Sequence, residues 1–410
     1  LQFEQHTIPG ANQMGQYLSA VPPSSLSPAP SPFDAVLLVS FGGPEGPDDV
    51  LPFLENVVCG KSVPRWRLLE VARHYELFGG VSPLNSQNRA LLAALVGELN
   101  EHGPRLPVYW GNRHWHPLLA DAIRQMAGDG VRHALALVTS AYGSSAGCRQ
   151  YVEAIARARA EVGPTAPQID KLRLFFNHPG FIEAMAERVA AALSELPADA
   201  RPRARLLFSA HSIPTASAER SPYLGQLRET CRLVADLLRG EGRKASGEEQ
   251  TGSSDSSESS IDAQSNRPTD RDFAALSQKH ELPVKHSHRI KWDLVFQSRS
   301  GPPKQPWLEP DIRDHIRMLH GEGDVGPLVV VPVGFLAENM EVVYDLDVEV
   351  RELCDELGIK MVRAPVVGNQ PRFVRMIREL IVERVDPSAP RLALGSFGPW
   401  PDRCPVDCCM

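Results

Sequence analysis

Residues 331–350 read VPVGFLAENMEVVYDLDVEV, and the change of period inside this stretch decides the fold. Leu328 to Val333 is a continuous apolar run, as expected of a strand buried on both faces. Gly334 and Phe335 make a short turn. Val342, Val343, Leu346, Val350 and Leu353 then recur at three- and four-residue spacing, which predicts one amphipathic helix that stops near Gly358. Glu341, Asp345 and Glu349 stand four apart and rise as one column, with Glu338 a turn earlier. Like charges at that spacing cost an isolated helix about 0.2–0.5 kcal/mol per pair. A solvated face is the ordinary meaning of such a run. Here the acids begin where a buried strand ends, the edge at which open α/β sheets bind ligands, and their oxygens suit a hard divalent cation.

The same unit recurs along the chain. Strands are expected in DAVLLVS (34–40), at the start of PVYWGNRHWHP (107–117), in HALALVTS (133–140), KLRLFF (171–176), ARLLFSAHSIP (204–214), DLVFQSRSG (293–301) and IKMVRAPVVG (359–368), each leading toward a helical pattern. Such alternation predicts α/β architecture with parallel sheets, arranged as two doubly wound Rossmann-like lobes at 33–165 and 170–385. Polar clusters follow the strand ends, so the site is expected in the cleft between the lobes. Gly42, Gly43 and Pro44 form a turn after the first strand, but the glycine patterns of dinucleotide and P-loop sites are both missing.

Composition narrows the function classes. The 410 residues are 42% hydrophobic and 23% charged, ordinary globular material, and the net charge of −7 with no basic stripe argues against a nucleic-acid binder. No apolar run approaches the roughly 18 residues of a transmembrane helix, and no secretory signal stands out, so a cytoplasmic location is expected. The seven cysteines are then read as thiols or metal ligands in a reducing compartment. Residues 1–31, rich in Pro, Ser and Gln, read as a disordered leader, with Met14 a candidate start. Residues 240–290, rich in Ser, Glu and Gly, read as a disordered insertion, whose His280, His286 and His288 are expected to be solvated.

His211 follows an apolar strand in SAHSIP, where it can serve as base or metal ligand. One imidazole facing carboxylates across a cleft suits proton abstraction combined with cation delivery. The tail, 386–410, ends CPVDCCM, placing Cys404, Cys408 and Cys409 close together, and Cys148 is the natural fourth thiol. Four thiolates can hold zinc or an iron–sulfur cluster, and spacing leaves both open. Cys59, Cys231 and Cys354 sit in helix-like contexts and are expected to be buried thiols.

The ordered set SFGGPE, GGVSPLNSQN, GNRHWHP, SAHSIP, VFQSRSG with PWLEP, and VPVGFLAENMEVVYDLDVE resembles the ferrochelatases over most of 34–385. The C-terminal cysteines and GCRQY resemble the actinobacterial branch, which inserts iron into coproporphyrin III. The resemblance implies two lobes around a porphyrin, with ferrous iron as the second substrate. It implies that His211 and Glu341 face each other as catalytic and metal-site residues, with Asp345 and Glu349 leading toward the metal. It places Ser82, Arg113 and Tyr151 at the porphyrin carboxylates and Trp307, Phe335 and Phe41 as apolar walls. It favours a 2Fe–2S cluster on Cys148, Cys404, Cys408 and Cys409. Two positions depart from the common pattern. Ala337, Glu338 and Asn339 stand where many relatives read Ser-Asp-His, so a second histidine is missing, and Phe41 replaces a tyrosine that could reach the metal. A non-catalytic tetrapyrrole or metal carrier is the rival of another class, and a chelatase for another divalent metal or for protoporphyrin IX is the enzymatic rival. The oligomeric state is left open, a monomer being favoured.

Overall fold

The computed structural model describes residues 31–240, 290–301, 304–323, 325–404 and 408. The expected leader, the insertion with its three histidines and Cys409 lie outside the described residues.

In chain order the first half holds β1 (Ala35–Ser40), α1 (Pro47–Val57), α2 (Arg65–Glu76), α3 (Leu84–His102), β2 (Val108–Asn112), α4 (Leu119–Gly128), β3 (His133–Val138), a π-helical turn (Ser145–Arg149), α5 (Gln150–Val162) and β4 (Gln168–Lys171). The second half holds α6 (Pro179–Glu195), β5 (Arg205–His211), α7 (Thr215–Glu219), α8 (Tyr223–Arg239), β6 (Lys291–Gln297), α9 (Ile312–Gly321), β7 (Leu328–Val331) and α10 (Met340–Tyr344). A second π-helical turn (Asp345–Val350), α11 (Arg351–Glu356), β8 (Met361–Arg363) and α12 (Pro371–Val385) complete it. The strands form two four-stranded sheets, β2-β1-β3-β4 and β6-β5-β7-β8, parallel throughout. The expected pair of doubly wound α/β lobes is therefore present.

Alternation along the central strands shows how the lobes join. Ala35, Leu37 and Val39 of β1 pack with α4 and α5 on one face. Val36 and Leu38 point the other way, into a layer that also takes Leu206, Phe208 and Ala210 of β5 and Val329 and Val331 of β7. α3, α6, α8 and α12 fill that layer, for example through Leu95, Phe181, Leu227 and Ile377. Leu207, Leu328 and Val330 face α9, α10 and the second π turn. The two lobes thus share one core. The last helix, α12, packs on α3 as well as α6, so the element latest in sequence braces the first lobe.

Two expectations change. The predicted continuous helix over 342–353 is broken by a π turn at Asp345–Val350, which keeps Leu346 and Val350 in the core while widening the turn that carries the acids. Cys59 lies exposed in the turn after α1, whereas Cys231 and Cys354 are buried as expected. The tail is docked up to Cys404. Leu394 N donates to the Asn177 carbonyl (2.9 Å), and Asn177 Nδ2 donates to the carbonyls of Leu394 and Gly398 (3.0 and 2.9 Å). Phe397 and Trp400 meet Phe176 edge-on.

Beside the tail, Arg173 makes a two-pronged pair with Glu383 (2.7 and 2.8 Å) and donates to the Leu392 carbonyl (2.8 Å), both side chains being almost wholly buried. Removing one partner strands a buried charge, which typically costs about 3–5 kcal/mol, whereas replacing both with apolar groups is often near neutral. Arg173→Met should therefore lower the unfolding free energy by roughly that amount in urea denaturation, and Arg173→Met with Glu383→Met should recover most of it.

Candidate active site

All the strands run the same way, so their carboxyl ends collect polar groups at one edge of each sheet. β5 ends on His211 and β6 ends on Gln297, register partners across the ladder. β7 ends before the turn that leads to α10 and Glu341. His211 Nε2 lies 3.3 Å from Glu341 Oε1, and both side chains retain partial access to the cleft. On the other side of the ring His211 Nδ1 lies 2.5 Å from the Ser212 carbonyl, which makes Nδ1 the donor. Tyr223, at the start of α8, donates to the His211 carbonyl (3.0 Å).

The electrostatics of this pair modify the expected neutral imidazole. Burial works against a charge on His211, but the Glu341 carboxylate, the Ser212 carbonyl and Asp345 outweigh it and raise its pKa to about 9. Burial also works against the Glu341 carboxylate, and His211 holds its pKa below the usual value. Near neutral pH the resting pair is imidazolium and carboxylate. Asp345 is pushed up to about 7, chiefly by burial, with Glu341 and Glu349 adding to it and Ser298 and Gln297 opposing it through hydrogen bonds.

The acidic column does not stay together. Glu338 turns to Arg363 (3.0 Å), which also holds Asp347 (2.6 Å). Glu349 pairs with Arg313 (3.1 Å). Glu341 and Asp345 remain beside His211. Among the described residues, no three of His, Cys, Asp or Glu are grouped so as to hold a metal ion, so any cation set assembles on arrival.

The first lobe supplies the facing wall. The amides of Arg113 and His114 donate to the carbonyls of Ser40 and Phe41 (both 3.0 Å), fixing the ends of β1 and β2 against each other. The Arg113 guanidinium lies over the Tyr151 ring at 4.5 Å and near Phe41 at 5.8 Å. It donates to Gln150 Oε1 (3.0 Å), while its buried Nε has no hydrogen-bond partner. Ser82 is buried against Gly43, and its hydroxyl accepts from the Leu84 amide (3.4 Å). Trp307 covers Gly301, where a Cβ would run into the indole, and its buried Nε1 lacks a partner. Phe335 lies in the core beside Val342 and Leu346, behind the cleft and not on its surface. Cys148, buried at the first π turn, shares a hydrogen bond with Cys404, and that contact raises the Cys404 thiol pKa. Cys408 is half-buried.

Contacts between lobes hold the cleft. Tyr142 Oη donates to the Val333 carbonyl (3.0 Å), and the Glu338 amide donates to Gln87 Oε1 (2.8 Å). Sequence reasoning gave no role to Gln87, Tyr223, Gln297, Ser298, Arg313 or Arg363. Of these, Gln87, Gln297 and Ser298 fall inside the family-like motifs and Arg363 inside the expected strand at 359–368, and strand-end polarity is the signal that could have flagged Gln297 and Ser298.

A two-lobed α/β protein with a histidine and acidic side chains at its strand ends falls in the class that binds its ligand in the crevice outside the carboxyl ends of the strands. The family model for ferrochelatase matches residues 33–385, and the chain belongs to the ferrochelatase family. It is an enzyme of this kind, inserting iron into a porphyrin in haem biosynthesis. It is 48% identical over 379 residues to a ferrochelatase of Rhodopirellula baltica, covering 92% of this chain and 94% of that protein. It is 46% identical over 396 residues to the coproporphyrin III ferrochelatase of Streptomyces coelicolor, covering 92% and 94% respectively. No helix among the described residues is long and apolar enough to cross a membrane.

An unfolded histidine titrates near 6.5, and His211 in the folded chain at about 9. Its pairing with Glu341 therefore contributes stability that is whole below roughly pH 6.5 and lost as pH rises through 9. In histidine-labelled NMR of porphyrin-free protein, His211 should titrate near 9 and drop toward or below the ordinary value in Glu341→Gln. A wild-type ring titrating near 6.5 would show that the pair does not form.

Proposed function

We propose that this ferrochelatase acts on coproporphyrin III, with His211 and Glu341 as its catalytic pair and Asp345 and Glu349 leading ferrous iron toward them. The observation that carries the reading is the 3.3 Å His211–Glu341 contact with Asp345 alongside. Metal insertion requires two pyrrole protons to leave and the ion to shed water. Resting His211 is charged because Glu341 is charged. A ferrous ion arriving at Glu341 cancels that field, burial then favours the neutral ring, and His211 passes its proton to solvent water and becomes free to accept one from a pyrrole nitrogen. Cation arrival and readiness of the base are thereby coupled. Carboxylates exchange with metal-bound water in steps, which suits a mobile ion better than thiolates would.

Coproporphyrin carries four carboxylates, and relatives in Streptomyces and Frankia bear its name. The partnerless Nε of Arg113, in a guanidinium fixed over Tyr151, supports binding of one carboxylate in a fork. Ser82 and Tyr151 border that place. Phe41 and Trp307 supply flat apolar surface, and Phe335 supports the wall from behind. A carrier would need the walls and Arg113, but not both His211 and Glu341.

The paired thiols of Cys148 and Cys404, with Cys408 near the same tail, fit a thiolate-bound 2Fe–2S cluster, Cys409 being its fourth ligand. Such a group would supply a cross-link between the first lobe and the tail, and takes no part in the iron transfer. These features suit a cytoplasmic enzyme working as a monomer.

Purified protein should insert ferrous iron into coproporphyrin III with a higher kcat/KM than into protoporphyrin IX. His211→Ala and Glu341→Gln should each lower kcat by about 10²–10⁴-fold while quenching of porphyrin fluorescence still reports binding. Equal use of both porphyrins would remove the specificity, and unchanged turnover would remove the pair.

Cys148→Ser and Cys404→Ser should each abolish the visible absorption and acid-labile sulfide of the purified protein. Stoichiometric zinc without sulfide in the wild type would replace the cluster with a zinc site.

A further inference from the structure

The acids beside His211 are held by two adjacent residues at the end of a different strand. Gln297, almost fully buried, stands opposite His211 in the parallel ladder. Its Oε1 accepts from Ser209 Oγ (2.5 Å), and its carbonyl accepts from the Ser212 amide (2.8 Å). Its Nε2 donates to the Glu341 carbonyl (2.5 Å) and reaches Asp345 Oδ2 at 3.4 Å. One amide therefore ties the strand of His211 to the turns bearing both acids. Ser298 Oγ donates to the same Asp345 oxygen.

The backbone of Ser298 makes this contact costly. Its φ is +61°, the only non-glycine in the left-handed region among the described residues. Glycine would adopt that conformation without penalty, whereas a residue with a side chain is strained there. The hydrogen bond that Ser298 gives to the Asp345 carboxyl offsets that strain. Asp345 needs such a donor. Glu341 and Glu349 both repel it, and no cation pairs with it among the described residues. Without the hydroxyl, repulsion would turn the carboxylate away from Glu341.

We propose that Gln297 and Ser298 are positioning residues that aim the Asp345 carboxylate at the His211–Glu341 pair, so that incoming ferrous iron is offered two carboxylates at once. The proposal rests on the iron path described under Proposed function and deepens it. It assigns a role to the QSRS run, which the resemblance left without one.

The test is steady-state insertion by Ser298→Ala, Ser298→Gly and Asp345→Asn, with Co²⁺ binding to the porphyrin-free proteins measured by calorimetry. Both serine variants should raise the KM for ferrous iron roughly tenfold and weaken Co²⁺ binding in proportion, with the porphyrin KM unchanged. Glycine relieves the backbone, so its folding is not in question. Wild-type iron KM in Ser298→Gly with a raised value in Ser298→Ala would show backbone strain alone and overturn the proposal. A raised iron KM in Asp345→Asn with wild-type values in both serine variants would remove the positioning role but leave the acidic path. An unchanged Asp345→Asn would remove both.

Discussion

The apolar layer shared by the two sheets sets the geometry of everything at the cleft. Leu38 of β1 and Phe208 of β5 belong to one core, with α3, α6, α8 and α12 between the sheets. Interiors packed to crystal-like density move little, so strand ends on either side of that layer keep their separation. The first lobe contributes Arg113 and Phe41 from the ends of β2 and β1, and the second contributes His211 and Gln297 from β5 and β6. The Tyr142–Val333 and Gln87–Glu338 hydrogen bonds then act on surfaces already in place. Two independent lobes joined by a linker would instead leave the cleft width to loops.

Charge pairing sorts the acids that follow β7. Arg363 satisfies Glu338 and Asp347, and Arg313 satisfies Glu349. Arg363 and Glu338 are mostly buried, so that ion pair is screened little, whereas Arg313 and Glu349 are more exposed and their pair is the easier one to open. The Glu349 pair therefore opens more readily than the Glu338 pair. Glu341 is committed to His211, which leaves Asp345 held by neutral donors alone. The four acids thus differ in how firmly each is held.

The sequence disclosed the architecture because it is written in short-range periodicity. The run Leu328–Val333 and its counterparts gave the parallel strands, and SAHSIP gave His211. The shared core was not legible, since joining the lobes depends on α12 meeting α3 across most of the chain. The break in the acidic helix was hidden for a related reason. Four-residue spacing predicts a single α-helix, but fitting Leu346 and Val350 into the core while Asp347 reaches Arg363 is a tertiary demand, met by the π turn. Partners such as Arg313 and Arg363 lie at separations no local pattern encodes. The resemblance implied a wall at Phe335, whereas its side chain packs in the core beside Val342 and Leu346.

The tail shows how a ligand set can be prepared before any ligand arrives. In the structure Asn177, Phe176 and the Arg173–Glu383 pair already hold residues 392–400, and the chain then delivers Cys404 to Cys148. Most of the ordering entropy of that segment is thus met by protein contacts. A group bound by these thiols would find two of them already together. Preorganisation of this kind raises affinity for the bound group, while the fold gains less from it than it would from an undocked tail. The pairing of Cys404 with Cys148 therefore rests on contacts the protein makes itself and does not wait on any bound group.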